Sequence, residues 1–234
     1  MSISASNEDG SVSAGELSAR YDNFVVDLLG SIAYGELSAF ERLATDAQHS
    51  PTLGDRAVLG RMAVSEFGHY EAMCARLNDM GMDPELAMAP YQRMVDAFHE
   101  RTRPADWHES LMKAYVVEAI TEEFYTAIAE HLDQPTREAI AEVRTSDEQV
   151  AELTALLQKM LAEDPRLSSR LALWGRRMVG EALAQVQRIG AKHSFLVGLR
   201  PDATQEQAAA EVSAILSALT RNHSRRMSKL GLTA

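Results

Sequence analysis

A chain of 234 residues, 46% hydrophobic and 24% charged, has the length for a real core and the composition of a soluble globular protein. Its net charge of −11 argues against broad binding to nucleic acid or anionic membrane, whose phosphates recruit Lys and Arg. The single Cys74 excludes an intrachain disulfide and suits a reducing compartment. With no leader pattern at Met1 and no apolar run near the ~20 residues of a membrane span, a cytoplasmic protein is expected.

Residues 1–14 are small and polar and read as a disordered tail, followed by a single helical domain over 15–234. Leu17, Tyr21, Phe24, Leu28, Ile32, Leu37, Phe40 and Leu43 recur at helical spacing, which predicts a first helix running to about His49, where Ser50-Pro51 stops it. Asp55 or Thr52 caps a second helix that ends at Gly81, and the short link makes the pair an antiparallel hairpin. Residues 82–104 carry three prolines and read as a crossover, with a short helix of its own near 91–100. A third helix is expected from Ala105-Asp106 to about His131, and a fourth from the Asp133–Thr136 turn to about Ala162. A fifth, roughly 166–198, ends at Gly198 and Pro201, and a sixth covers about 204–229. No stretch shows strand alternation. The expected class is all-α, a four-helix bundle with a crossover between helices two and three and two additional C-terminal helices.

The chemistry-bearing stretch is AVSEFGHYEAM at 63–73, where Glu66 and His69 lie three apart and share a face of the second helix. Val64, Phe67, Tyr70 and Met73 step along close to that side and suggest that the face is buried. A buried carboxylate is costly unless it is paired or holds a metal. Counted from the turn at 51–52, Glu36 on the first helix is level with Glu66. A di-iron carboxylate bundle adds a Glu on helix three and a second Glu-x-x-His on helix four. Glu118 and Glu122, one turn apart, are both candidates for the first of these. On helix four the level segment offers Glu148 without an imidazole, or Ser146-x-x-Gln149 with neither ligand.

The segments GELSAFERL (35–43), MAVSEFGHYEAM (62–73), DAFHERTRPADWHESLMKAYV (96–116), LALWGRRMVGEALAQVQR (171–188) and HSRRMSKLGL (223–232) resemble the ferritin-like proteins grouped with the tRNA 2-methylthio-N6-isopentenyladenosine hydroxylase, in the actinobacterial MiaE-like branch. The resemblance implies a ferritin-like fold and a non-haem di-iron, O2-dependent hydroxylase acting on tRNA. It implies Glu36, Glu66 and His69 as ligands, with Glu118 or Glu122 as the third-helix ligand. The missing fourth-helix Glu-x-x-His departs from that pattern and makes one iron, two irons or none the open question.

Two readings follow. The first is an iron hydroxylase with an incomplete di-iron site, whose electron donor the sequence does not name. The second is a metal-free bundle that serves as a binding or structural protein, for which a homodimer is compatible. Iron storage ranks last, because the two extra helices have no place in a simple shell subunit.

Overall fold

A computed structural model describes residues 13–143, 146–192 and 204–234. Among them the secondary structure is entirely helical, as the periodicity predicts. In chain order the helices are α1 (Ala14–Asp46), α2 (Leu53–Asp79), α3 (Pro84–Met88), α4 (Gln92–Arg101), α5 (Trp107–Ala129), α6 (Gln134–Glu142), α7 (Asp147–Glu163), α8 (Leu167–Lys192) and α9 (Gln205–Lys229). The expected ending of the fifth helix at Gly198 and Pro201 lies outside the described residues, as do residues 1–12 of the expected tail.

Side chains that satisfy the orphan amides of each first turn set the helix starts. Ser13 and Glu16 form a capping box on α1, which therefore begins inside the stretch read as tail. Thr52 caps α2 by accepting from the Asp55 amide, and Asp106 caps α5 by accepting from that of Glu109. The link after α2 turns at Gly81, whose φ of 72° favours glycine. Asp133 caps α6 by accepting from the Thr136 amide. It also accepts from the Tyr21 hydroxyl at 2.7 Å and lies 3.3 Å from Arg76, tying the ends of α1, α2 and α6 together.

The expected fourth helix is two helices. Ser146 caps α7 through a capping box in which its hydroxyl accepts from the Gln149 amide, while the Gln149 side chain accepts from the Ser146 amide. The Ser146-x-x-Gln149 pattern is therefore a helix start. Both side chains are spent on the cap, and the extended backbone at Ser146 interrupts the helix there.

α1 and α2 pack along their length as the expected hairpin, α5 packs against α1, and α6 and α7 together occupy the fourth side against α2 and α5. α8 and α9 cover the far face of α5, and α4 joins them through α8. α5 is thus enclosed from several directions, and its buried residues, Trp107, Leu111, Met112, Val116, Ile120 and Ile128 among them, go round the helix instead of forming one stripe. On α2 the buried stripe is Leu59, Met62, Ala63, Glu66, His69, Met73 and Leu77. Val64 and Phe67, expected beside it, are exposed on the outer surface, where Phe67 meets the rings of Phe40 and Tyr70.

Close packing generates one prediction. A Cβ at Gly30 of α1 would overlap the backbone carbonyl of Ala87 in α3, whereas one at Gly60 of α2 meets nothing within 4 Å. Gly30→Ala should lower stability by about 1–3 kcal/mol. Gly60→Ala should raise it by about 0.5–1 kcal/mol through helix propensity. Urea titration of the two variants checks both signs.

Burial of an imidazole generates another. His223 of α9 is 2% exposed, neither ring nitrogen has a hydrogen-bond partner among the described residues, and burial, reinforced by Arg226, pushes its pKa down to about 4. The unfolded chain, with an ordinary histidine pKa of about 6.5, then binds a proton that the folded chain does not. Its contribution is complete above about pH 6.5 and is lost as pH falls toward about 4. His223→Leu should therefore lose less stability than the parent between pH 7.5 and 4.5, read as the shift in urea midpoint.

Candidate metal centre

Glu36 of α1 and Glu66 and His69 of α2 converge in the interior, with one ligand-type atom from each within 4.8 Å of the others. Equal distance from the α1–α2 turn brings Glu36 level with Glu66, and the three-residue spacing sets His69 beneath it. The His69 Nδ1 atom lies 3.5 Å from Glu36 Oε2 and 3.5 Å from Glu66 Oε2. Its Nε2 is 3.4 Å from the Ser65 hydroxyl, a contact that orients the ring.

Glu118 of α5, half-buried, stands beside this group, and its pKa is raised by the nearby Glu66 carboxyl. Glu122, one turn later, lines surface pockets with residues of α6 and of α9, and raises the Glu118 pKa. Glu148 stands apart: it is exposed in the first turn of α7, where a carboxylate complements the helix dipole, and it is not brought to the cluster. Glu123 is spent on Arg226 and Asn222 of α9. Among the described residues, two carboxylates and one imidazole meet within 4.8 Å, and Glu118 stands beside them as a third carboxylate.

The electrostatics of this group are extreme. Burial pushes the Glu36 carboxyl up to about 7. Glu66 and Glu118 are held well above the usual carboxylate range, first by burial and then by the neighbouring carboxylates. The buried Tyr125 phenol is driven up by the same surroundings, with Glu36, Glu118 and Glu66 all contributing. Three carboxylates cannot ionise together here without a cation, so the interior must hold either protons or a metal.

The donor set fits a metal. Glu66 Oε2 is buried and has no hydrogen-bond partner among the described residues, although the imidazole Nδ1 is its neighbour. Donors to one ion, at bonds of about 2.0–2.2 Å, lie within about 4.4 Å of each other, so a small contraction of the cluster would suffice. Carboxylate oxygen with imidazole nitrogen suits iron among other transition metals.

Glu36 and Glu118 also line a cavity of about 140 Å3, whose other walls are largely apolar and come from α1, α4, α5 and α8. Val95, Phe98, Ile120, Phe124 and Val186 are among them, and Tyr125 completes the side nearest the carboxylates. His99 edges the cavity with its Nδ1 3.2 Å from the Lys113 ammonium, which can only donate, so Nδ1 is the acceptor. Burial pushes His99 down to about 3 and Lys113 to about 8, so this imidazole adds no charge to the wall.

A family model described as the ferritin-like domain of actinomycetes matches residues 19–200. The chain belongs to this family. The solved structure titled "Protein 19 with aldehyde deformylating oxidase activity from Synechococcus" superimposes with a TM-score of 0.65 at 19% sequence identity, covering 92% of this chain and 97% of that one. At that identity the likeness establishes a shared ferritin-like fold. No protein of curated function matches the sequence at a significant level. No helix among the described residues is long and apolar enough to cross a membrane.

Tyr125 and the cavity were not legible as site features. What separates Glu118 from Glu122 is tertiary placement, which counting along the chain does not supply. If like-charge crowding governs this interior, Glu66→Gln should stabilise the metal-free protein by about 1–2 kcal/mol. Thermal scans in a chelator at pH 8 should show a midpoint a few degrees above the parent's.

Proposed function

We propose that this protein is a carboxylate-ligated iron oxidase or hydroxylase acting on a small, largely apolar substrate. The observation that carries the reading is the sharing of side chains: Glu36 belongs both to the buried cluster and to the wall of the apolar cavity, and Glu118 stands beside the cluster and lines the same wall. A substrate in that cavity would lie against whatever the cluster holds.

Glu36, Glu66, His69 and Glu118 would hold the metal. Bound iron would supply the activation of O2 that the protein's own groups cannot perform. The chain's residues do the rest. Ser65 keeps the His69 ring aligned, Tyr125 keeps its phenolic proton beside the carboxylates, and the apolar walls exclude water from the reacting region. With one imidazole in the set, one iron is the natural complement, and a second would have to share carboxylates without a histidine of its own.

The MiaE-like resemblance supports hydroxylation as the reaction and a compact branched group as the part oxidised, and a cavity of about 140 Å3 suits a group of that size. A tRNA substrate draws no support from the charge of −11. The absence of a histidine on α6 and α7 favours a second reading, a bundle that binds an apolar ligand without metal.

Anaerobic loading with Fe(II), followed by metal analysis, decides between them. The parent should retain about one iron per chain, and the Glu66→Ala, His69→Ala double variant none. At a hundredfold excess over its dissociation constant, the metal should add about 2.7 kcal/mol to the parent's stability. No retained metal in a folded parent would sink the oxidase reading and leave the second.

A further inference from the structure

Gln185 projects from α8 into the same cavity and is 9% exposed. Its Oε1 accepts from the Arg188 guanidinium at 3.3 Å. A guanidinium only donates, so this contact fixes the amide with oxygen toward Arg188 and nitrogen away from it. Arg188 is itself 3.9 Å from Glu181, which also pairs with Arg101 of α4 at 2.8 Å. A chain of polar contacts from the crossover helix therefore sets the orientation of this amide.

The Gln185 Nε2 atom is buried and has no acceptor among the described residues. A buried donor left unmet is unfavourable, and such groups in native proteins call for an explanation. The His99 Nδ1 is taken by Lys113, and no other acceptor among the described residues lies within hydrogen-bond distance of this nitrogen. The terminal torsion of glutamine is soft, so the amide can turn an N–H toward an acceptor that enters the cavity.

We propose that Gln185 binds a neutral acceptor oxygen, such as a ketone or aldehyde carbonyl, on an otherwise apolar substrate. Neutrality follows from the largely apolar wall, where a charged ligand would lose its hydration without a paired counter-charge. Size follows from volume: about 140 Å3 is close to the ~150 Å3 of an engineered apolar cavity that takes up benzene, so the ligand has roughly six to eight non-hydrogen atoms. Gln185 is a specificity-determining residue in this scheme, and the inference rests on the cavity being the substrate site.

The test uses the full-length protein and a pair of isosteric probes, hexan-2-one and 2-methylhex-1-ene, which differ by a carbonyl oxygen against a methylene. Dissociation constants come from NMR titration of the parent, Gln185→Leu and Gln185→Met. Circular dichroism confirms that each variant is folded, and Met, being flexible, fills the site without strain. Affinity for hexan-2-one should fall about tenfold in both variants while that for the alkene is unchanged or improved. If both probes bind the parent and neither responds to the substitutions, the assignment of Gln185 is overturned while the cavity stands. If neither probe binds the parent, the cavity reading falls and takes this inference with it.

Discussion

Two carboxylates and an imidazole, buried side by side between α1 and α2 with Glu118 of α5 beside them, set the terms for the structure around them. Groups of this kind are tolerated in an interior only where they are neutralised, and neutralisation requires that several helices deliver side chains to one point. The hairpin does this by geometry, since its short turn fixes which residues of α1 and α2 stand level. The third carboxylate demands that α5 lie against α1, and the outer helices hold α5 in place.

The helices were legible because their ends carry local signals. Ser50-Pro51, Gly81, Asp106 and Asp133 act within a few residues and depend little on tertiary contacts. Glu36, Glu66 and His69 were legible for a similar reason, because level positions across a tight turn follow from counting. The four-residue separation of Glu118 and Glu122 leaves both on nearly one face, so counting along the chain does not tell them apart. Val64 and Phe67 were misplaced because a hairpin buries one narrow stripe, and apolar residues beside it can gather on the outside around Phe40.

The fourth side of the bundle shows how one short pattern can be read in two ways. Ser146-x-x-Gln149 sits where a second Glu-x-x-His would be expected, which invites the language of loss. Its side chains instead close a reciprocal cap and start a new helix. Whatever this family does with its interior, the interruption between α6 and α7 is built in by hydrogen bonds that stabilise it. The fold shared with a 19% identical oxidase leaves room for this difference, because a fold is a scaffold on which sites are placed independently.

The cavity has a divided origin: its charged corner comes from α1 and α5, and much of its far wall from α4 and α8. These two contributions are under different physical constraints. The inner helices are constrained by mutual dependence, since moving one carboxylate unbalances the others. The outer pair is joined to the inner helices by packing and by the Tyr34–Asp96, His99–Lys113 and Trp174–Glu109 contacts, none of which uses Gln185 or Val186, so those two lining positions can change without breaking them. Relatives that keep this quartet intact can therefore diverge in what they accept. Residue 185 is the position at which to sort them into groups.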